Sequence, residues 1–208
     1  MQTSDSNRFW QRFAFLYGPA MYGSRILYQD ICHRMRPRLT SAMNVLELAC
    51  GTGQLSFPLA PRVHSWQASD FSPAMIEQAR KKPAPSTLSF SVENATALPY
   101  PDHCFDAVVI ANALHVMPQP ELAMKEIRRV LKPDGLLFAP NFLHPVTRSE
   151  RLRLRLLMAA GFRPFHLWNE AQYNAFLHTQ GFSIVEQCVL GSGLLPLCYA
   201  VARPSVPR

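Results

Sequence analysis

Apolar and polar positions follow two rhythms along this chain. Short apolar runs, the pattern of strands buried on both faces, occur at Val45–Leu48 and most clearly at Asp106–Ala111. A mixed run at Val63–Ser69, an alternating run at Leu88–Val92 and the apolar Leu136–Ala139 also read as strands. Between them, apolar residues recur at helical spacing. Gln54–Ala60 is a short helix stopped at Pro61. Ala74–Lys82 is a helix opened by Ser72 at the N-cap and Pro73 at the first helical position, and Pro83 ends it. Glu121–Leu131 is amphipathic, with Leu122, Ile127, Val130 and Leu131 turned inward and Lys125, Glu126, Arg128 and Arg129 outward. Lys132-Pro133-Asp134-Gly135 reads as a turn. Strands alternating with helices predict a parallel, doubly wound α/β sheet.

The flanks change the rhythm. Residues 7–38 predict two helices, the first carrying Phe9, Trp10, Phe13, Leu16 and Tyr17, the second running from Met21 to Met35 with Ile26, Leu27 and Ile31. Gly18-Pro19 breaks them apart. They either pack on the sheet or form a lid in which Tyr17 and Tyr22 offer hydroxyls. Arg148–Met158 predicts a basic helix with Leu152, Leu156 and Ala159 on one face and Arg148, Arg151 and Arg155 on another. It suits the wall of a substrate pocket better than a helix lying on a membrane surface. Asn169–Thr179 is a further helix, capped by Asn169 and followed by Gly181. Phe182–Val189 and Leu194–Ala202 predict an antiparallel pair across Gly191-Ser192-Gly193. The expected architecture is one domain over 1–208. It comprises an N-terminal helical lid (1–40), a core (43–140), a substrate-side insertion (141–168) and a C-terminal helix and strand pair (169–208). Its sheet is seven-stranded and mostly parallel.

Composition narrows the class. With 208 residues, 48% apolar and 17% charged, the chain can bury a full core and is not disordered. Its apolar stretches are too short to span a bilayer, and Met1–Arg12 has no apolar segment of a secretory signal. A cytoplasmic location is the expectation. Five dispersed cysteines with no C-x-x-C pair read as reduced thiols, mostly in the core, with no metal site. The net charge of +7 concentrates at His33–Arg38 and at Arg148, Arg151, Arg153 and Arg155. Such clusters serve as a solvated face, or meet an anionic substrate or an anionic membrane. No nucleic-acid module accompanies them.

One stretch bears chemistry. Val45-Leu46-Glu47-Leu48-Ala49-Cys50-Gly51-Thr52-Gly53 is a buried strand running into a glycine loop and then a helix. Such a loop lets a ligand approach the backbone at the carboxyl end of a strand. Asp70 closes the second strand about twenty residues on, where a carboxylate can accept both hydroxyls of a ribose. An adenosine-containing ligand is indicated. Ser56 stands where a dinucleotide fingerprint has its third glycine, and Glu47 would repel a pyrophosphate. Both features favour S-adenosylmethionine over NAD.

The later segments carry a resemblance. Together with the loop, Ser69-Asp70-Phe71-Ser72-Pro73-Ala74-Met75-Ile76, Asn94-Ala95-Thr96-Ala97-Leu98-Pro99-Tyr100, Phe105-Asp106-Ala107-Val108-Val109 and Val130-Leu131-Lys132-Pro133-Asp134-Gly135 occur in order. The chain resembles the class I S-adenosylmethionine-dependent methyltransferases. The nearest subgroup includes ubiquinone/menaquinone C-methyltransferases and bacterial phospholipid N-methyltransferases. The resemblance implies a Rossmann-like fold, with backbone at Ala49, Cys50, Gly51 and Gly53 under the methionine moiety. It implies that Glu47 orders the loop, if need be through water, and that Asp70 binds the ribose. Phe71 and Met75 would lie on the adenine, with Asn94 and Ala95 at its edge. Asn112 would lie near the amino-acid end and the substrate, and Tyr22, in the lid, is a further cofactor-binding candidate. His115, and after it Tyr17, are the candidates for a base, and S-adenosylhomocysteine would be the product. The expected acceptor is a small molecule. A membrane-associated phospholipid methyltransferase and a non-catalytic S-adenosylmethionine binder are the alternatives.

Overall fold

Asn44–Leu48 forms β1, whose Val45, Leu46 and Leu48 are each almost wholly buried at the centre of an eight-stranded sheet. The computed structural model describes residues 25–144, 147–159, 164–191 and 196–205. On one side of β1 lies β2 (Ser65–Asp70) and beyond it the edge strand β3 (Leu88–Val92); on the other side lie β4 (Phe105–Ile110) and β5 (Leu131–Phe138). All these pairings are parallel. The chain therefore moves outward from β1 in one direction, returns, and moves outward in the other, which puts a topological switch point between β1 and β4. The sheet continues with β8 (Leu197–Pro204), antiparallel to β5 and to β7 (Phe182–Leu190). A two-residue strand, β6 (Asn141–Phe142), pairs with β8 on the same side as β5 and brings the expected seven strands to eight.

Side chains alternate across the strands into two cores. Val45, Trp66, Ala107, Val109 and Phe138 meet α1 (Arg25–Met35), α2 (Ser56–Leu59) and α3 (Pro73–Arg80) on one face. Leu46, Leu48, Val108, Ile110 and Leu137 meet α4 (Pro120–Val130) and α6 (Glu170–Thr179) on the other. The inward set of α1 is Leu27, Tyr28, Ile31, Cys32 and Met35, while Ile26 points to solvent. α3 has the expected Ser72 cap, whose side chain accepts the Met75 N–H, and α6 has the expected Asn169 cap with a reciprocal bond from Gln172.

Several expectations are corrected. Lys132-Pro133-Asp134-Gly135 is not a separate turn but a bulged excursion within β5, because register with β4 passes from Phe105↔Leu131 to Ala107↔Leu136. Gly135 keeps the excursion uncrowded, since a Cβ there would lie 2.7 Å from Leu131 Cδ1 and 3.0 Å from the Asp106 carbonyl. After α2 the chain continues through Pro61 as a 3-10 turn to Arg62, so β2 starts only at Ser65. Leu122 is exposed, and Ala123 and Met124 join Ile127 and Val130 in the core instead. Two residues read as outward, Arg128 and Arg129, are half-buried fasteners. Arg129 donates to the carbonyls of Leu98 and Tyr100 and to the carboxylates of Asp102 and Glu126. Arg128 donates to the carbonyls of Gly181 and Ser205. α5 (Arg148–Ala159) forms as a helix, but its Leu152 and Leu156 are exposed, while Leu154 is buried. Among the described residues no helix is long and apolar enough to cross a membrane. Tyr17 and Tyr22, and the first of the two N-terminal helices, lie outside the described residues.

Candidate functional site

β1, β2, β3 and β4 run parallel and end at one edge of the sheet. Leu48 is level with Ser69 and Ile110, and Asp70 with Val92. The segments beginning at Ala49, Phe71, Glu93 and Ala111 therefore emerge side by side. This register brings together the residues that the sequence had singled out separately.

The loop after β1 is bent by left-handed backbone at Ala49 (φ 53), Gly51 (φ 56) and Gly53 (φ 87). Ala49 adopts this conformation without being glycine, a strained state of the kind found at functional sites. The Cys50 N–H donates to Ser69 O at 2.9 Å and Gly51 N–H to Asp70 Oδ2 at 2.9 Å, which ties the loop to the end of β2. Ser72 N–H donates to Asp70 Oδ1 at 2.8 Å. Each carboxylate oxygen thus receives one backbone N–H and retains acceptor capacity. Burial raises the pKa of Asp70, while the two N–H donors pull it back. The Cys50 thiol is buried and its pKa lies well above the ordinary range, so it is not a nucleophile. Gly53 has a packing reason: a Cβ there would come within 2.6 Å of the Phe57 ring. Lys82, just beyond α3, donates to Thr52 O at 2.7 Å and lies over Phe57, closing the loop from outside.

Glu47 is 2% exposed. Its Oε2 accepts from Ser56 Oγ at 2.5 Å and from Trp66 Nε1 at 2.8 Å. These bonds are direct, so no water is needed for the carboxyl to order the loop. Ser56, first residue of α2, stands in the third-glycine position because its hydroxyl fastens the helix to Glu47. Burial pushes the carboxyl up to about 7, with the neighbouring Asp70 charge acting in the same direction and the two hydrogen bonds opposing it.

Phe71 is 55% exposed beside Asp70, and Met75 is buried one helical turn on. Asn94 spends its Oδ1 on its own turn, accepting the Thr96 N–H at 3.0 Å and hydroxyl at 2.9 Å, which leaves its amide N–H groups to offer outward. Ala95 is buried. Asn112 is left-handed (φ 53) and donates its backbone N–H to Pro140 O at 2.8 Å. Its Nδ2 donates to the hydroxyl of Tyr28 at 3.3 Å, while its Oδ1 is buried with no partner. Tyr28 gave no chemical signal in the sequence, because it sits at a core position of α1.

His115 lies on a 3-10 turn beyond β4 and is 5% exposed. Its Nδ1 meets Asn141 Oδ1 at 2.9 Å. The amide of Asn141 is oriented by its own Nδ2 donating to Phe142 O at 3.0 Å, which makes His115 Nδ1 the donor and Nε2 the basic nitrogen. Burial, reinforced by the nearby His166, pushes the imidazole down to about 4, against the opposing effect of Asn141. His115 is therefore neutral at physiological pH. Long-range 15N NMR of the His115 ring is expected to show the Nδ1–H tautomer. In Asn141→Ala that preference should give way to a tautomer mixture; an unchanged spectrum would remove Asn141 from this role.

The chain matches a family described as methyltransferase domain over residues 46–139. It is 30% identical over 187 residues to a demethylmenaquinone methyltransferase of Clavibacter sepedonicus, covering 79% of this chain and 76% of that relative. It is 34% identical over 131 residues to a ubiquinone/menaquinone biosynthesis C-methyltransferase of Rickettsia bellii. That match covers 58% of this chain and 52% of the relative, so the chain spans about half the length of that protein. Among solved structures, magnesium protoporphyrin IX methyltransferase of Synechocystis with bound S-adenosylhomocysteine superposes with a TM-score of 0.70 at 20% identity. The superposition covers 88% of this chain and 84% of that one.

Proposed function

The chain belongs to the S-adenosylmethionine-dependent methyltransferases, and on that premise we propose that it transfers the cofactor's methyl group to a small-molecule acceptor. The observation that supports this most is Asp70, placed at the end of β2 with one backbone N–H on each carboxylate oxygen, beside the glycine loop and the β1/β4 switch point. The residues fit an adenosyl ligand. The left-handed loop sits at the carboxyl end of β1 with Ala49 half-buried, Asp70 retains acceptor capacity for ribose hydroxyls, and the orphaned Oδ1 of Asn112 calls for a donor such as an ammonium group.

When bound, S-adenosylmethionine supplies a methyl group on a positively charged sulfur. The chain's own part is to align the acceptor with that methyl and to exclude water. Asp70, Asn94 and the loop would orient the nucleoside, and Asn112 the amino-acid end. The neutral imidazole of His115, held by Asn141, would accept the acceptor's proton. A base this weak suffices where the proton leaves after the methyl arrives, because the methylated centre is then far more acidic.

The test is calorimetry with S-adenosylhomocysteine and NAD, followed by an S-adenosylhomocysteine release assay over a panel of quinols, phenols, amines and thiols. S-adenosylhomocysteine is expected to bind and NAD not to, with turnover on at least one class of acceptor. Binding of NAD in place of S-adenosylhomocysteine would overturn the cofactor assignment, and binding without turnover across the panel would favour a non-catalytic sensor.

A further inference from the structure

α5 presents three guanidinium groups that the rest of the described structure leaves unpaired. Arg148, Arg151 and Arg155 occupy positions i, i+3 and i+7 of one helix, and all three are exposed. With Ser149 and Leu152 they line an open cavity of about 790 Å³. No carboxylate among the described residues forms an ion pair with any of them, whereas Arg38 and Arg129 are each paired with one or two. A solvated helix face ordinarily intersperses its charges at i,i+4. The sequence of this helix instead has Glu150 as its one acidic residue among four arginines. Leu154 is buried and anchors the helix, which leaves Leu152 (58% exposed) and Leu156 (63%) as an apolar strip alongside the arginines.

Two further features point to a ligand. Arg148 and Arg155 are separated by about 10 Å along the axis at 1.5 Å per residue, a span that two long side chains can close on one headgroup. α5 is also the first helix after β6, whose Asn141 holds His115.

We propose that Arg148, Arg151 and Arg155 form an anion site for an amphiphile, gripping its phosphate, sulfate or carboxylate group while its apolar portion lies along Leu152. Guanidinium forks suit such groups because they bind them bidentately. This rests on the methyltransferase reading only in naming the amphiphile as the acceptor; the anion site itself does not depend on it.

The test compares the wild type with a combined Arg148→Gln, Arg151→Gln and Arg155→Gln variant, with the single exposed Arg151→Gln as a milder change. Probes are decyl phosphate below its micelle concentration, decanol, and vesicles containing phosphatidylglycerol. Decyl phosphate is expected to bind the wild type roughly tenfold or more tightly than decanol, and to lose most of that advantage in the triple variant, as charge-assisted bonds require. Arg→Lys changes at the same positions should recover part of it. Loss with decyl phosphate identifies a soluble anion as the ligand; loss with vesicles alone identifies a lipid headgroup. Equal binding of wild type and variants in both arms, or no binding in either, overturns the proposal. S-adenosylhomocysteine affinity, measured on the same samples, should be unchanged in every variant. Its absence in the wild type would instead count against the methyltransferase reading and leave the anion site standing.

Discussion

Asp70→Asn is expected to weaken S-adenosylhomocysteine binding by about 1.5–3 kcal/mol, a loss of roughly ten- to a hundredfold, the scale of hydrogen bonds to a charged group. Asparagine is the informative replacement because it is nearly isosteric. In the wild type, Gly51 N–H and Ser72 N–H each donate to a different carboxylate oxygen. An amide has one oxygen and one NH2, so in either orientation its NH2 faces one of these backbone donors. The loop or the start of α3 must then move, and one acceptor for a ribose hydroxyl is lost as well. Asp70→Ala should weaken binding by a similar amount without the donor–donor conflict, so asparagine should be no better than alanine. Calorimetry measures the affinity, and urea unfolding of the ligand-free variants separates loop disturbance from ligand contact. Affinity unchanged in both variants would remove Asp70 from the ribose role. Asparagine matching the wild type while alanine fails would show that hydrogen-bonding shape, not the carboxylate charge, is what matters.

How far the sequence could lead depended on the range of the interactions involved. The glycine loop, Asp70, the Ser72 cap and the order of strands β1 to β5 follow from local periodicity and turn chemistry, and these were legible. The juxtaposition of Ala49, Asp70, Asn94 and Asn112 was implicit once the strands were read as parallel, because parallel strands deliver their carboxyl ends to one edge. What could not be read were partnerships across the sheet. Trp66 lies in a strand of mixed polarity, and nothing in its neighbours reveals that its indole N–H is spent on Glu47 nineteen positions earlier. Asn141 was passed over because it opens the expected insertion, without a motif, although it holds His115. Arg128 and Arg129 read as a solvated pair by period, yet they fasten loops far away in sequence. The excursion at Lys132–Gly135 read as a turn, and only the pairing on both its flanks with β4 shows that one strand contains it. The exposed Leu152 and Leu156 are a case in which helical periodicity located a face but not its direction.

Glu47→Gln is expected to stabilise the ligand-free protein increasingly as pH rises, by up to roughly 3 kcal/mol at pH 8. The sign follows from the folded-state pKa, raised from 4.5 to about 7 chiefly by burial. A carboxyl whose pKa is raised on folding binds its proton more tightly in the native state. Its contribution to stability is complete below pH 4.5 and is lost as pH rises through 7, at about 1.4 kcal/mol per pKa unit. Glutamine keeps an oxygen that can accept both from Ser56 Oγ and from Trp66 Nε1, so α2 and β2 remain tied to β1, but it has no charge to desolvate. Unfolding curves at pH 5, 6, 7 and 8 should therefore coincide for the two proteins at the acid end and diverge above it. Parallel curves would show that Glu47 titrates normally. The same variant separates the two roles the residue could play. If Glu47 acts through Ser56 and Trp66 to order the loop, affinities for S-adenosylmethionine and for S-adenosylhomocysteine, whose sulfur carries no charge, should change together. If its charge faces the sulfonium, only the first should fall. Both bonds converge on one carboxylate oxygen and commit it to Ser56 and Trp66, so the expected result is a common, small change, with the stability effect dominant.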